Sequence, residues 1–257
     1  MIETPPMDEA YLHLTCLHEG PVDPATVKPR PGPLPGGHPP LPWSEETLHM
    51  LAEQYRTHKL YHPRPAPFMR EMIRRYGTCA MLAWQDRKVV GHLRFYPMQI
   101  ARLFVPPEDD RGPRMLSWAG DPEEDEGTLW VQCVMSARPY VSPKPDTITG
   151  RNWPAMDEAG ARRGIGLKLA LGLIEWAREH DWTRIVKIAH ADVDCLYGQL
   201  GAGGKAFWEK AGFQAVARFC LRPDWSADYL ALAEAQGRER GLTAEEVWTW
   251  HRMLYEL

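Results

Sequence analysis

Between positions 161 and 167 the chain reads Ala161-Arg162-Arg163-Gly164-Ile165-Gly166-Leu167, and helix-forming residues follow at once. Glycines at 164 and 166 let the backbone turn sharply and leave the first N–H groups of a helix without intrahelical acceptors. A helix start of this kind carries partial positive charge, worth roughly 0.3–1 kcal/mol per anionic group at an exposed site. Arg162 and Arg163 add two guanidinium groups, so the natural ligand is a diphosphate. Two common diphosphate sites fail on spacing. A dinucleotide fingerprint needs a third glycine where this chain has Leu169. A P-loop around Gly204-Lys205 would need Gly at 199 and Ser or Thr at 206, and those positions are Gln199 and Ala206.

The helix that starts there is expected to reach about His180. Lys168, Gly172, Glu175 and Glu179 form a narrow polar face, opposite Leu167, Ala170, Leu171, Ile174 and Ala177 and flanked by Leu169, Leu173 and Trp176. So wide an apolar girdle implies packing between a sheet and a second layer. The run Thr128–Ala137 is apolar enough for a strand buried on both faces. Thr183–Ala189 is a second strand, and the strand–loop–helix–strand order predicts that the two lie parallel. Cys79–Trp84 and Val89–Tyr96 flank four polar residues and predict an antiparallel hairpin. Upstream, Ser44 caps a helix burying Leu48, Leu51, Ala52 and Tyr55, and another from about Ala66 buries Met69, Met72, Ile73 and Tyr76 before closing at Gly77.

Tyr11–Leu17 alternates loosely and reads as a first strand. Pro21–Pro42 holds nine prolines and is expected to be an extended connector hugging the surface. Pro106–Gly127 is an acidic, solvated loop and Arg138–Gly160 a further loop. A glycine-rich turn, Gly198–Gly204, feeds a short helix over Lys205–Ala211, and Phe213–Leu221 returns as a strand. The tail reads as two helices, about Ser226–Arg240 and a last one from Thr243, whose spacing to Glu246 makes a capping box. Val247, Trp250, Met253, Leu254 and Leu257 would give that last helix an apolar stripe, docked on its own body or on a second copy in a homodimer. The boundaries that follow are 1–43 for an N-terminal strand and Pro-rich arm, 44–222 for the main domain, and 223–257 for a C-terminal helical extension.

The chain has 257 residues, 44% of them hydrophobic and 25% charged, with a net charge of −4. Those values fit a globular protein, not a disordered chain, and give no basic excess for nucleic acid; the order of strands and helices makes it α/β. Five cysteines without a C-x-x-C pair suggest neither a disulfide framework nor a zinc knuckle, and a cytoplasmic protein fits best. The start of the chain lacks a basic and apolar leader, and no long apolar run predicts a membrane span.

Three motifs in order resemble the GNAT superfamily of acyl-CoA-dependent N-acetyltransferases. The Ala161–Gly166 turn resembles the family's pyrophosphate loop, Val89-Val90-Gly91-His92-Leu93-Arg94 resembles the end of its second-to-third-strand hairpin, and Phe207-Trp208-Glu209-Lys210-Ala211-Gly212-Phe213 resembles its F-Y-E-K-x-G-F signature. Together they cover about Cys79 to Leu221. The resemblance implies a central mixed β-sheet flanked by helices. It implies that Thr128–Ala137 splays from Thr183–Ala189, and that the main chain of Cys133, Val134 and Met135 pairs with pantetheine amides in the gap. Acetyl-CoA would be the co-substrate, with Arg162, Arg163, Gly164, Ile165, Gly166 and Leu167 at its diphosphate. Ala161 departs from the family's Gln or Arg, and Trp208, counted among the cofactor contacts, stands where many members carry a proton-donating tyrosine.

For acid and base, Tyr197 and Cys195 on the preceding loop are substitutes for that tyrosine, or the thiolate leaves unassisted. His190, just past a strand end, is the candidate base with a pKa near neutrality. His190, Asp192 and Asp194 lack the remaining ligands of a calcium loop, and no metal is expected. The function that follows is acetyl transfer to a primary amine of a small molecule or peptide. The alternative is a non-catalytic acyl-CoA-binding or protein-interaction module.

Overall fold

The computed structural model describes residues 2–12, 17, 21–27, 34, 37–57, 66–104, 125–136, 143–145, 152–154, 164–200, 203–223 and 225–257. Ser44 accepts from the Thr47 amide at 3.1 Å and starts α1, Glu45–Thr57, as its cap position predicts. Helix α2, Ala66–Tyr76, ends at Gly77, whose φ of 84° is the left-handed geometry that closes a helix. Glu71 on α2 is buried yet charged. Burial works against its carboxylate, but Arg74 and Arg75, at 2.7 and 2.6 Å, outweigh that and lower its pKa.

Strands β1, Ala80–Gln85, and β2, Lys88–Pro97, form the expected hairpin. Its two central residues, Asp86 and Arg87, both have positive φ, the twist that suits a two-residue hairpin turn. The chain then makes α3, Met98–Phe104, within a stretch assigned to no element from sequence. Strand β3, Thr128–Ser136, follows. Two three-residue strands, β4, Pro143–Pro145, and β5, Asn152–Pro154, pair with each other inside the segment expected to be loop. Helix α4, Ile165–Glu179, leads to β6, Arg184–Ala189, as expected. Its Leu171, placed inward by periodicity, is 49% exposed.

Helix α5, Asp194–Leu200, replaces the loop expected before α6, Lys205–Lys210. Strand β7, Gln214–Cys220, and helix α7, Ala227–Glu239, match expectation, and the capping box of Thr243 and Glu246 is present at the head of α8, Ala244–Val247. That helix lasts only one turn. Thr249–Glu256 is strand β8, not the continuation of a terminal helix.

The main sheet runs β1-β2-β3-β6-β8-β7, mixed in polarity, with β3 parallel to β6 and every other neighbour antiparallel. One face packs on α4 through Leu93, Phe95, Val131, Leu169, Leu173 and Ile185. The opposite face is closed by α1 and α2 around Tyr55, Phe68 and Met72 at one end. Near β8 it carries Trp130, Val186, Ile188 and Trp250.

At the N-terminus, Glu3 to Met7 lies along β1 through backbone bonds at Trp84, Leu82 and Ala80, so the first extended segment precedes the predicted Tyr11–Leu17. Glu9–Tyr11 is a single 3-10 turn, and positions 13–16 lie outside the described residues. Where the Pro-rich arm is described it stays largely at the surface and is pinned at a few points. Leu34 is buried, the Trp43 indole donates to the Pro39 carbonyl at 3.0 Å, and His38 bonds Tyr55 at 3.0 Å. The acidic loop is described only from Asp125, which accepts from Arg102 at 2.5 Å.

Because β8 pairs with β6 on one side and β7 on the other, it is a central strand whose removal leaves β7 without a neighbour. A chain ending at residue 248 is expected to lose its cooperative thermal transition by circular dichroism. A truncated protein that melts like the full chain would contradict this placement.

Candidate functional site

The parallel ladder between β3 and β6 is short. Thr128, Leu129 and Trp130 pair with Arg184, Ile185 and Val186, and there the pairing ends although both strands continue. On its other side β3 stays paired with β2, but the register jumps: Arg94 faces Cys133 and Phe95 faces Val131, leaving Gln132 as the extra residue of a bulge. A bulge bends its strand and strengthens the local twist, which turns β3 away from β6. The result is a wedge open along the β6 side of β3, from Val131 toward Ser136.

Lys187 on β6 reaches across this wedge. Its ammonium donates to the main-chain carbonyl of the bulged Gln132 at 3.0 Å and lies 6.0 Å from the centre of the Trp130 ring. The residue is only 3% exposed. Sequence reasoning passed over it, although a lysine inside the apolar strand Thr-Arg-Ile-Val-Lys-Ile-Ala was a readable signal.

The head of α4 stands beside the open part of the wedge. Gly164 has φ 66° and no side-chain cap, and a Cβ added there would meet nothing within 4 Å. The first helical bond runs from the Lys168 amide to the Gly164 carbonyl at 3.0 Å, so the amides of Ile165, Gly166 and Leu167 precede the ladder. A Cβ on Gly166 would lie 3.1 Å from Phe207 and 4.0 Å from Val134. Glycine thus lets the helix head close on β3 and α6 together. The structure brings Gly166 to Val134, with Gly164, Ile165 and Leu167 beside it in the same helix start, whereas Arg162 and Arg163 lie outside the described residues.

The other candidates are placed differently. The Cys133 side chain turns toward β2, with its sulfur 3.9 Å from His92 Nε2, and the Met135 sulfur accepts from the Leu17 amide at 3.2 Å. Trp208 is wholly buried, ring against ring with Phe207 and Phe213 at 4.9 Å each, and has no surface to offer a cofactor.

His190 is also wholly buried, edge to face with Tyr197 at 4.8 Å. Burial is the main force on its pKa and lowers it to about 4, only partly opposed by the bond from Nδ1–H to the Ala191 carbonyl at 2.6 Å. The expectation of a base near neutrality is therefore wrong, because the site is too dry for an imidazolium. Tyr197 sits on a helix, and its hydroxyl donates to Asp192 Oδ1 at 2.5 Å. Burial first, and then Asp192, push that phenol above its usual range. Its proton is committed to Asp192, which removes it as a donor to a leaving thiolate.

Asp192 ties several elements together. Oδ2 accepts from the Ala206 amide at the head of α6 at 2.9 Å, and its main-chain carbonyl accepts from Arg240 at 2.6 Å. A Cβ on Gly204 would fall 2.1 Å from Asp192 Oδ1 and 2.2 Å from the Tyr197 hydroxyl. Among the described residues no cluster of His, Cys, Asp and Glu is arranged for a metal ion, and no helix is long and apolar enough to cross a membrane.

The hairpin, the splayed parallel pair and the helix-head turn come in the order the motifs imply. No family model matches the chain, and no curated protein matches it. Solved structures do. One is yncA of Salmonella typhimurium with its cofactor acetyl-CoA, 12% identical, covering 100% of this chain and 94% of that one at a TM-score of 0.43. Another is ribosomal-protein-alanine N-acetyltransferase from Brucella melitensis, 14% identical over 84% and 97% of the two chains at 0.38. A GCN5-related N-acetyltransferase from Kribbella flavida is 14% identical over 69% and 67% at 0.35.

Two outcomes are expected. Gly204→Ala forces apart the Tyr197–Asp192 pair and should lower stability by about 1–3 kcal/mol in urea melts, whereas an unchanged midpoint contradicts the geometry. His190 binds its proton near pH 4 when folded and near 6.5 when unfolded. The unfolded chain therefore protonates first as pH falls. Stability contributed above pH 6.5 is lost between about 6.5 and 4, up to about 3 kcal/mol. His190→Phe should flatten this part of the stability profile, and a parallel profile would count against it.

Proposed function

We propose that the protein transfers an acetyl group from acetyl-CoA to a primary amine by direct attack. The observation that carries the reading is the meeting of an uncapped glycine helix head with the unpaired, bulged edge of β3, at Gly166 and Val134. The residues fit the co-substrate in kind. Amides at 165–167 suit a diphosphate, with Arg162 and Arg163, next to them in sequence, adding charge. The edge at Cys133, Val134 and Met135, beyond the last β3–β6 pair, suits the two amides of pantetheine, which would pair with it as an added strand does.

Coenzyme A supplies an activated acyl group and a thiolate that leaves readily. The chain supplies orientation, and placing two reactants in register is worth about 7–11 kcal/mol of the barrier. His190 and Tyr197 move no proton in this reading. The acceptor, a small-molecule or peptide amine, arrives neutral, and the thiolate takes its proton from solvent. We place the reaction in the cytoplasm, where the free cysteines would stay reduced.

A second reading, an acyl-CoA-binding module without turnover, draws on the Tyr197 hydroxyl being locked to Asp192 and on Trp208 at the position of the family's tyrosine. Release of free thiol against a panel of amines separates the two, because a binding module takes up coenzyme A and releases none.

Calorimetry with coenzyme A at neutral pH should give saturable binding that Arg163→Glu and Gly166→Val each weaken by about tenfold or more. No heat at millimolar coenzyme A would remove the proposal. In turnover, His190→Gln should keep kcat/KM within a few-fold, and the pH profile should follow the acceptor amine with no inflection from an enzymic histidine.

A further inference from the structure

The transfer reading leaves one charge in the wedge without a task. Lys187 projects from β6 at the closed end of the gap, one residue past the last parallel pair, Trp130 with Val186. Its Nζ rests on the carbonyl of Gln132, the bulged residue of β3. A linear carrier held by its diphosphate at Gly164–Leu167 and running inward along β3 passes Met135, Val134 and Cys133 in turn. Its far end, which bears the acyl group, then arrives at Gln132 and Lys187.

Resting on that reading, we propose that Lys187 is a catalytic residue whose ammonium contacts the thioester carbonyl oxygen and stabilises the negative charge that develops there. The acceptor nitrogen forms a bond to the carbonyl carbon, and the carbonyl electron pair moves onto the oxygen beside Lys187. When that pair returns, the carbon–sulfur bond breaks and the thiolate leaves. The nitrogen gives up its proton to solvent, and Lys187 ends as it began. A fixed charge suits this task better than a proton donor would. It is held by Gln132 and the Trp130 face before the reaction, it lies in a nearly dry gap, and it needs no reorganisation as the charge builds.

The anchor has a further property: it is main chain. No substitution at Gln132 removes the carbonyl, so this hold on the ammonium survives any change of that side chain. Lys187 is also the unbranched side chain that can span the gap while its stem stays in apolar surroundings.

The test pairs kinetics with spectroscopy. Lys187→Met keeps the length of the side chain and loses the charge. It should lower kcat about 10²-fold while the affinity for coenzyme A stays within a few-fold of wild type. Acetyl-CoA labelled with carbon-13 at the carbonyl should show that band at lower frequency when bound to wild type than in water. The shift should vanish in Lys187→Met and return in part in Lys187→Arg. A Met variant that matches wild type in kcat and band position overturns the assignment while leaving acetyl transfer intact. A Met variant that no longer binds coenzyme A also overturns it, by making Lys187 a structural prop of the wedge. Wild type that binds no coenzyme A removes the transfer reading itself.

Discussion

The parallel ladder between β3 and β6 cannot continue past Trp130 and Val186, and the rest of the molecule is arranged around that stop. The extra residue at Gln132 turns β3 away, and the carbonyl it brings into the gap needs a donor, because a buried main-chain acceptor left unpaired costs free energy of the order of a lost hydrogen bond. Lys187 provides that donor from the facing strand. The sheet is thereby divided. On one side β1, β2 and β3 are tied by hairpin and antiparallel pairing; on the other, β6 pairs with β8 along all six of its residues and with β3 along only three. An edge opened inside a molecule would be a liability if it were flat and accessible to other chains. Here it is narrow, twisted and overlooked by a helix head.

The height of that helix head is set by glycines on β2, on α4 and in the segment before α6. A side chain at Gly91 on β2 would start 2.6 Å from the Ile165 Cγ2 atom and 3.1 Å from Leu169 Cδ1. Its absence lets the first turn of α4 lie almost on the sheet. Gly166 then allows Phe207 within contact distance, and Gly203, with φ 75°, lets the chain come in under Phe207 and Trp208. These positions act in series: a bulky side chain at any of them would lift the helix head or the α6 segment off the edge of β3.

Much of this arrangement is legible in the residues, and what is not has physical causes. The hairpin, α2 with its Gly77 closure, α4 and the Thr243 capping box follow from local chemistry, which is what sequence patterns report. The final strand was hidden because it is covered on both faces. Trp250 and Leu254 pack to one side and Met253 and Tyr255 to the other, and such a run has the same apolar density as a helical stripe. Its pairing with β6 and β7 overrode the local reading. The bulge at Gln132 is a property of two strands together and has no mark in β3 alone. His190 was found by its place at a strand end, but its burial depends on Tyr197 and on Trp250, 60 residues further along the chain.

That burial changes what the conspicuous polar residues beyond β6 are for. His190, Asp192 and Tyr197 look like proton-transfer machinery, yet an imidazole kept neutral and a phenol bonded to a carboxylate are poor at moving protons near pH 7. Their bonds run to structure instead. The His190 carbonyl accepts from the Lys205 amide at 2.9 Å, Asp192 holds the Ala206 amide, and Tyr197 steadies Asp192 from behind. All three converge on the head of α6, the segment that carries Phe207 to Gly166. The cluster thus fixes the ring against which the diphosphate turn is seated. In the transfer reading this leaves catalysis to orientation and to a fixed charge, two effects that need rigid placement more than they need titratable groups.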